Sequence, residues 1–559
     1  MSGDRAGPGC RGRVIEGRQL TDRRTVIDAD ICIVGSGAGG GVCALKLAEA
    51  GLDVIVLEEG PNVAAGAGRG GDRHVRPGLV EDELDAYSTL YQEGGFRATE
   101  HPQPPVPHIR VLQGRCLGGG TTVNWSACLP PPAATLRHWH DTFGLPFSPS
   151  GLEELLLEVV NVLHVHENRH LNAAARALRD GCAALGWHAD CLPNNTRRCL
   201  ECGSCGLGCP YDRKRSGPTV WLSQALDHGA AIYTDAHVDR LVRGGDELAV
   251  EATLLERGRR RRRNRLTVRP RHGVVLAAGA IGSPAVLLRS ELVSNPLLGR
   301  FTHVHPTTAC VGEYGRPTYP AYGVPANMYS AEFADGPTGY LIESGSSQPV
   351  MSALASLATG EELRRWMRDV YPRSAVLYAH HNAGWDPRQP YGTVRLEGDE
   401  PVLRYELAPD NVAAMRASLK RMTEIHLAAG ATAVHHLTNP ALHITSRWQL
   451  GQLDFIKLEP QRTSLFAAHV MGGCRMGGDG VDAVVDTDFA VRGAPDVWVV
   501  DGSVFPTGLG AGPQMTIYAL ALWAARAIIR NLLGANGRFE LSYRRVPAAE
   551  RLRLPWTAR

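Results

Sequence analysis

Two constellations in this sequence have the residue types and spacing to do chemistry. In the first, the apolar run Ile31-Cys-Ile-Val34 leads into Gly35-Ser36-Gly37-Ala-Gly-Gly40, and a second run, Val54-Ile-Val-Leu57, ends on Glu58. A strand, a glycine turn, a helix and a second strand closed by an acid form a dinucleotide-binding fingerprint. Gly35 permits the tight turn, Gly37 lets the backbone approach a pyrophosphate, and Gly40 lets the helix pack closely on its strand. The helix N-terminus then faces phosphate. Glu58 is placed to accept hydrogen bonds from a ribose, which favours an adenosine without a 2′-phosphate. In the second constellation, Cys199, Cys202, Cys205 and Cys209-Pro210 have the spacing of a bacterial iron–sulfur run, whose fourth cysteine normally serves a second cluster. No second run exists. The same spacing suits tetrahedral zinc, or thiols that only fold a loop, and the three readings stay open at this point.

The elements that must position these residues follow from pattern. A Gly- and Pro-rich stretch, Gly60 to Pro107, reads as covering loops. It leads to Gly114-Arg115-Cys-Leu-Gly118-Gly119-Gly120-Thr-Thr-Val-Asn124, where three consecutive glycines mark close backbone approach to something bulky. Residues 151 to 186 read as helical. After the cysteine loop come a helix near Thr219 to His228 and strands through Ile232, Val238, Leu248 to Leu255 and Leu266. Gly273 to Leu276 is a further buried strand, ending in the small residues up to Ser283-Pro284. Beyond about residue 300, alternating runs such as Ser374 to His380 and Gly392 to Leu396, with a helix over Pro409 to Ala429, predict an antiparallel sheet covered by helices. The tail returns to a buried strand at Val497 to Val500, closed by Asp501-Gly502, and a helix from Gln514 to Leu533.

The bulk properties set limits. At 559 residues the chain exceeds what one hydrophobic core usually supports. A formal charge of +2 gives no footing for a nucleic-acid partner. Arg259 to Arg263, with Arg257 and Arg265 around it, falls between two strand-like runs and predicts a solvated hairpin tip. The thirteen cysteines are scattered rather than paired, which points to a reducing compartment. The polar N-terminal arm carries no apolar core of a secretory signal, and no apolar run of the length of a membrane span is expected. A cytoplasmic location follows from these readings.

Four separated blocks coincide in one family. The N-terminal dinucleotide turn, the Gly114-to-Asn124 block, the block Gly279-Ala-Ile-Gly-Ser283-Pro284 and the tail from His469 to Thr516 together resemble the glucose-methanol-choline (GMC) family of flavin oxidoreductases, in its branches acting on cholesterol and long-chain alcohols. The resemblance implies an α/β fold, α+β overall: a Rossmann-like FAD-binding domain with a substrate domain built on an antiparallel sheet covered by helices. It places an arm at 1–24, FAD-binding parts at 25–300 and 465–540, a substrate domain at 301–464 and a tail at 541–559. Carried over residue by residue, Gly35, Ser36, Gly37 and Gly40 would hold the pyrophosphate and Glu58 the adenosine ribose. Arg115, Gly119, Gly120 and Asn124 would lie along the pyrophosphate and flavin edge, with Gly279 in the block after the buried strand. Val238 would meet the adenine through its backbone, Asp501 and Gly502 would stand near the ribityl chain, and Pro513 and Thr516 would open the last helix beside the flavin.

The same resemblance assigns His469, in Ala467-Ala-His469-Val-Met-Gly-Gly473-Cys-Arg475, to the catalytic position. An imidazole titrating near neutrality suits a general base that takes the proton of an alcohol substrate while hydride passes to flavin N5. One departure stands out. Where such proteins carry asparagine or histidine before the proline of the last helix, this chain has Gly512, which offers no side chain to a hydroxyl. The missing group would then come from elsewhere, His435 and His436 being conceivable although an ordinary strand role suits them better. The absence also keeps lyase, isomerase or decarboxylase chemistry on the same scaffold, or a non-catalytic flavin-binding protein, as competing readings. The implied partners are a small-molecule alcohol and an acceptor of electrons, whether oxygen, a quinone or a redox protein.

Overall fold

The computed structural model describes residues 12–63, 82–256, 262–385 and 392–542. The first sheet grows from the N-terminal fingerprint. Strand β1 (Arg24–Val34) is half-exposed where it starts and fully buried where it ends, because its last residues lie between neighbours on both sides. It pairs in parallel with β2 (Val54–Leu57), Ile31 facing Val54, and with β3 (Arg262–Leu276), Cys32 facing Val274. Strand Ala231–Thr234 extends the sheet beyond β2, and Ala494–Val499 pairs in parallel with the end of β3. Buried apolar runs of this kind are what a parallel sheet covered on both faces requires. Helix α1 (Ala38–Glu49) follows the glycine turn, α2 (Gly279–Ser290) follows β3, and α3 (Gln514–Leu533) closes the described fold. The polypeptide therefore returns after residue 490 to complete the sheet it began.

Helix α3 corrects one expectation. By length and composition, Gln514–Asn536 is apolar enough to cross a membrane, although no such run was expected. Its apolar residues serve a protein core: Met515, Tyr518, Ala519, Leu522 and Ile528 are buried, and the helix packs on α1 and on Pro149–Leu163. Burial on several sides makes a soluble core helix and a spanning helix alike in composition.

The second sheet is built around β4 (Thr307–Glu313), β5 (Tyr340–Gly345) and β6 (Ser374–His381), which pair antiparallel, Thr307 with His380 and Leu341 with His380. Helix Pro409–Ala428 covers one face, burying Met415, Leu419, Met422 and Ile425. The sheet is not confined to 301–464. It also takes in Ala98–Glu100, Pro107–Val111, Asp190–Cys191 and Leu465–Ala467, because strand edges recruit whichever segment presents free backbone groups beside them. The stretch read as helical over 151–186 holds two helices, Pro149–Leu163 and Ala173–Leu185. His164 caps the first in the left-handed conformation, and Asn172 accepts a hydrogen bond from the Ala175 N–H to start the second. Of the basic run, Arg257 and Arg259 to Arg261 lie outside the described residues, as do 64–81 of the covering loops and 543–559 of the tail. The flanking strands pair antiparallel up to Leu255 and Arg262.

Candidate active site

One cavity of about 520 Å³ runs between the two sheets, lined by residues from both. Its first end is the fingerprint. Gly35 turns at φ +95°, with the Ala277 carbonyl so close that a Cβ there would collide at 2.4 Å. Gly37 has nothing within 4 Å of its missing Cβ and opens onto the cavity. Gly40 does not line it; a Cβ there would meet the Gly35 carbonyl at 2.0 Å, so this glycine lets α1 lie on β1. Gly37 caps α1 without any side-chain hydrogen bond, leaving the helix N-terminus open to an anion. Glu58 is buried at this end, accepting from the Ser36 N–H and hydroxyl (3.1 and 2.5 Å) and from the Gly60 N–H (2.8 Å). Burial pushes its carboxyl up to about 7. The Ser36 hydroxyl also accepts from the Gly118 N–H at 2.8 Å, stitching the two glycine blocks together. Arg115 reaches Glu59 at 3.0 Å, and Val238 lines the same end at an irregularity in its strand pairing.

Gly119, Gly120 and Asn124 line the middle of the cavity, with Gly279, Asp501, Gly502 and Pro513. The Asn124 side chain donates to Gln514 Oε1 at 2.9 Å, tying the glycine block to the start of α3. Asp501 accepts from the Gly279 N–H (2.9 Å), the Ser283 hydroxyl (2.5 Å) and the Ser503 N–H (2.8 Å). It clamps the start of α2 to the tail, and burial raises its pKa. Thr516, like Gly40, is an expected residue that does not line the cavity. It lies buried one turn into α3, off the cavity, because a helix turns the side chain three residues after Pro513 toward the core.

His469 stands at the far end. It is half-buried at the cavity wall, and its pKa falls to about 4 through desolvation. Its Nδ1 lies 3.2 Å from His305 Nδ1, and its ring centroid 4.6 Å from that of His380. Gly512 faces it: a Cβ there would touch the imidazole at 3.7 Å from Cε1 and Nε2. His435 and His436 are not the replacements. His435 pairs with Glu313 at 3.0 Å and His436 with Thr423 at 3.2 Å, both off the cavity. The second sheet lines the cavity with Thr307 on β4, Glu343 on β5, and Tyr378 and His380 on β6, and of these His380 lies against the His469 ring. The alternation Val376, Tyr378, His380 was the available signal, since every second residue of a strand shares a face, but nothing local said which face met the cavity.

The cysteine loop is brought together differently from a metal site. Among the described residues no three or more His, Cys, Asp or Glu side chains are grouped to hold a metal ion. The four thiols are unpaired, Cys199 Sγ accepts from the Glu201 N–H and Cys209 Sγ from the Lys214 N–H, so these sulfurs cap backbone turns. Neither the iron–sulfur nor the zinc reading fits this arrangement. What holds the loop is Lys214, which the sequence did not single out. It is buried, and its Nζ donates to the carbonyls of Thr122 (2.7 Å), Asn124 (2.7 Å) and Cys205 (2.8 Å).

With this geometry in view, comparisons with known proteins are specific. Residues 87–307 and 387–521 match two family models described as GMC oxidoreductase, and residues 30–123 match an FAD binding domain. An uncharacterized GMC-type oxidoreductase of Mycobacterium tuberculosis is 33% identical over 525 residues, covering 92% of this chain and 78% of its own. A long-chain-alcohol oxidase of Arabidopsis thaliana is 26% identical, covering 90% and 68%. Among solved structures, pyridoxine 4-oxidase from Mesorbium loti superposes with a TM-score of 0.66 at 19% identity, covering 89% of this chain and 98% of the other. Formate oxidase from Aspergillus oryzae superposes at 0.67 and 14% identity, covering 90% and 99%.

Proposed function

Since the chain belongs to the GMC oxidoreductase family and is an FAD-dependent oxidoreductase, we propose that its donor is the CH–OH group of an alcohol carrying an extended apolar tail. The observation that carries this reading is the continuity of the cavity. From the polar end at His469 and His380 it passes into an arm walled by Val311, Ala355, Trp366, Val376, Leu437 and Phe466. An apolar chain entering that arm leaves water, at about 25 cal/mol per Å² of apolar surface removed. Its hydroxyl end is then held at the histidines.

The fit of the cofactor rests on the open space at Gly37, the uncapped N-terminus of α1 and the carboxyl of Glu58. These would hold phosphates and ribose, while Gly119, Gly120 and Asn124 would lie along the flavin edge. When bound, FAD supplies the two-electron acceptor for hydride. His469 works at the substrate hydroxyl, where its burial keeps the ring neutral and water is excluded by the walls around it. The alcohol oxidase relative supports an alcohol donor and oxygen as acceptor.

Anaerobic mixing of the purified yellow protein with a series of n-alkanols tests the reading. Flavin bleaching that accelerates with chain length supports it. Failure of every alkanol to bleach the flavin would overturn it, and product formed without bleaching would assign the scaffold to lyase or isomerase chemistry.

A further inference from the structure

Resting on the alcohol-oxidising reading, we propose that His380 takes the hydroxyl proton, while His469 donates a hydrogen bond to the substrate oxygen. Following the protons through the hydrogen bonds leads there. The Gly510 N–H donates to His305 Nε2 at 3.2 Å, so that nitrogen carries a lone pair and the proton of neutral His305 sits on Nδ1. His305 Nδ1–H then donates to His469 Nδ1 at 3.2 Å. His469, neutral in its dry surroundings, is left with its proton on Nε2, the nitrogen that faces the space beside Gly512. A ring in that tautomer offers the substrate an N–H and has no free lone pair.

His380 is set the other way round. The Thr307 hydroxyl lies 3.2 Å from the His305 carbonyl and 2.9 Å from His380 Nδ1, and the arrangement proposed has it donate to the carbonyl and accept from His380. The His380 proton is therefore on Nδ1, and Nε2 presents a lone pair. Burial holds this ring neutral as well. Its Nε2 lies 3.8 Å from Glu343 Oε2, and that oxygen accepts from the Tyr378 hydroxyl at 2.7 Å. Glu343 is buried and desolvation pushes its carboxyl up to about 7, and in its ionised form it is the counter-charge to an imidazolium at His380. A group from the second sheet thus stands in for the side chain that Gly512 lacks, and His305 and Thr307 act as positioning residues that fix the two tautomers.

The step balances as follows. The O–H bond of the alcohol breaks and its proton goes to His380 Nε2. The C–H bond breaks with its electron pair leaving as hydride to bound FAD, and C–O becomes C=O. The alcohol loses two electrons and the flavin gains two.

Two measurements test this. In ¹⁵N spectra of histidine-labelled protein, His469 should report an Nε2–H tautomer and His380 an Nδ1–H tautomer; the reverse pair would overturn the proposal without reference to activity. In anaerobic mixing with n-octanol, His380→Gln should slow flavin reduction by roughly a hundredfold or more, the loss of a proton acceptor. His469→Gln, which keeps an N–H donor, should lose no more than about tenfold. Equal losses, or the opposite order, would overturn it. Wild-type protein that n-octanol fails to bleach would strike the alcohol reading itself, whereas the tautomers would still report on the proton arrangement.

Discussion

His469 sets the residue scale. Its imidazole is half-buried against two other histidines and opposite a glycine, and the contribution proposed for it is the proton it presents and the hydroxyl it orients. His469→Ala removes that contact and none of those to the nucleotide end. It should retain full flavin absorbance while slowing reduction about 10² to 10³-fold, the scale for losing one preorganised donor. Gly512 makes the complementary case. Its missing Cβ meets only the His469 ring, at 3.7 Å and at an ordinary backbone conformation. Gly512→Ala should therefore fold normally, with unfolding stability within about 1 kcal/mol of wild type by thermal melt.

At the scale of elements, the site depends on a few close approaches. Helix α1 can lie on β1 only because position 40 lacks a side chain: a Cβ would stand 2.0 Å from the Gly35 carbonyl. Gly40→Ala should cost about 1–3 kcal/mol from overpacking and lower the flavin content, read by thermal melting and by absorbance. Lys214 binds the cysteine loop to the glycine block through three backbone carbonyls. Lys214→Met takes the ammonium from the Thr122 and Asn124 carbonyls and leaves Cys205 only the Gly208 N–H, at about 1–3 kcal/mol per carbonyl left unmet before relaxation. The loop around Cys199 to Cys209 should then be cut by protease under conditions that leave the wild type intact.

For the molecule as a whole, titration is dominated by buried histidines. His303, His305, His381, His426 and His436 are buried and His380 and His469 half-buried, and desolvation holds all of them below their ordinary 6.5, five of them to about 3 or 4. A group whose pKa is depressed in the fold binds its proton first in the unfolded chain. The stability it protects is complete above pH 6.5 and is lost as pH falls toward the folded value. Glu58 and Glu343, raised from 4.5 to about 7, act with the opposite sign: their contribution is complete below 4.5 and is lost as pH rises through 7. Among the described residues the depressed histidines, which also include His108, His138, His164 and His435, outnumber the raised carboxyls, which also include Glu83, Asp212, Asp486 and Asp501, and so decide the direction. The melting temperature should drop steeply from pH 6.5 to 4, with uptake of several protons on unfolding; a flat profile over that range would contradict the buried, neutral state of these rings. How much of this was legible beforehand follows range. The fingerprint from Ile31 to Glu58, the glycine block at 118–120 and helix Gln514–Leu533 were readable, because turn chemistry and periodicity act over a few residues and leave their signature in order. The membership of the second sheet, the role of Lys214 and the meeting of His380 with His469 were not, because such contacts join separate segments, as Lys214 joins Thr122 and Asn124, and depend on which strand edge and which face happen to meet. The sequence by itself thus determined the cofactor and the glycine turns of its proposed cradle, and tertiary packing alone decided which side chains meet across the cavity, since proximity across a cavity leaves no periodic trace in the chain.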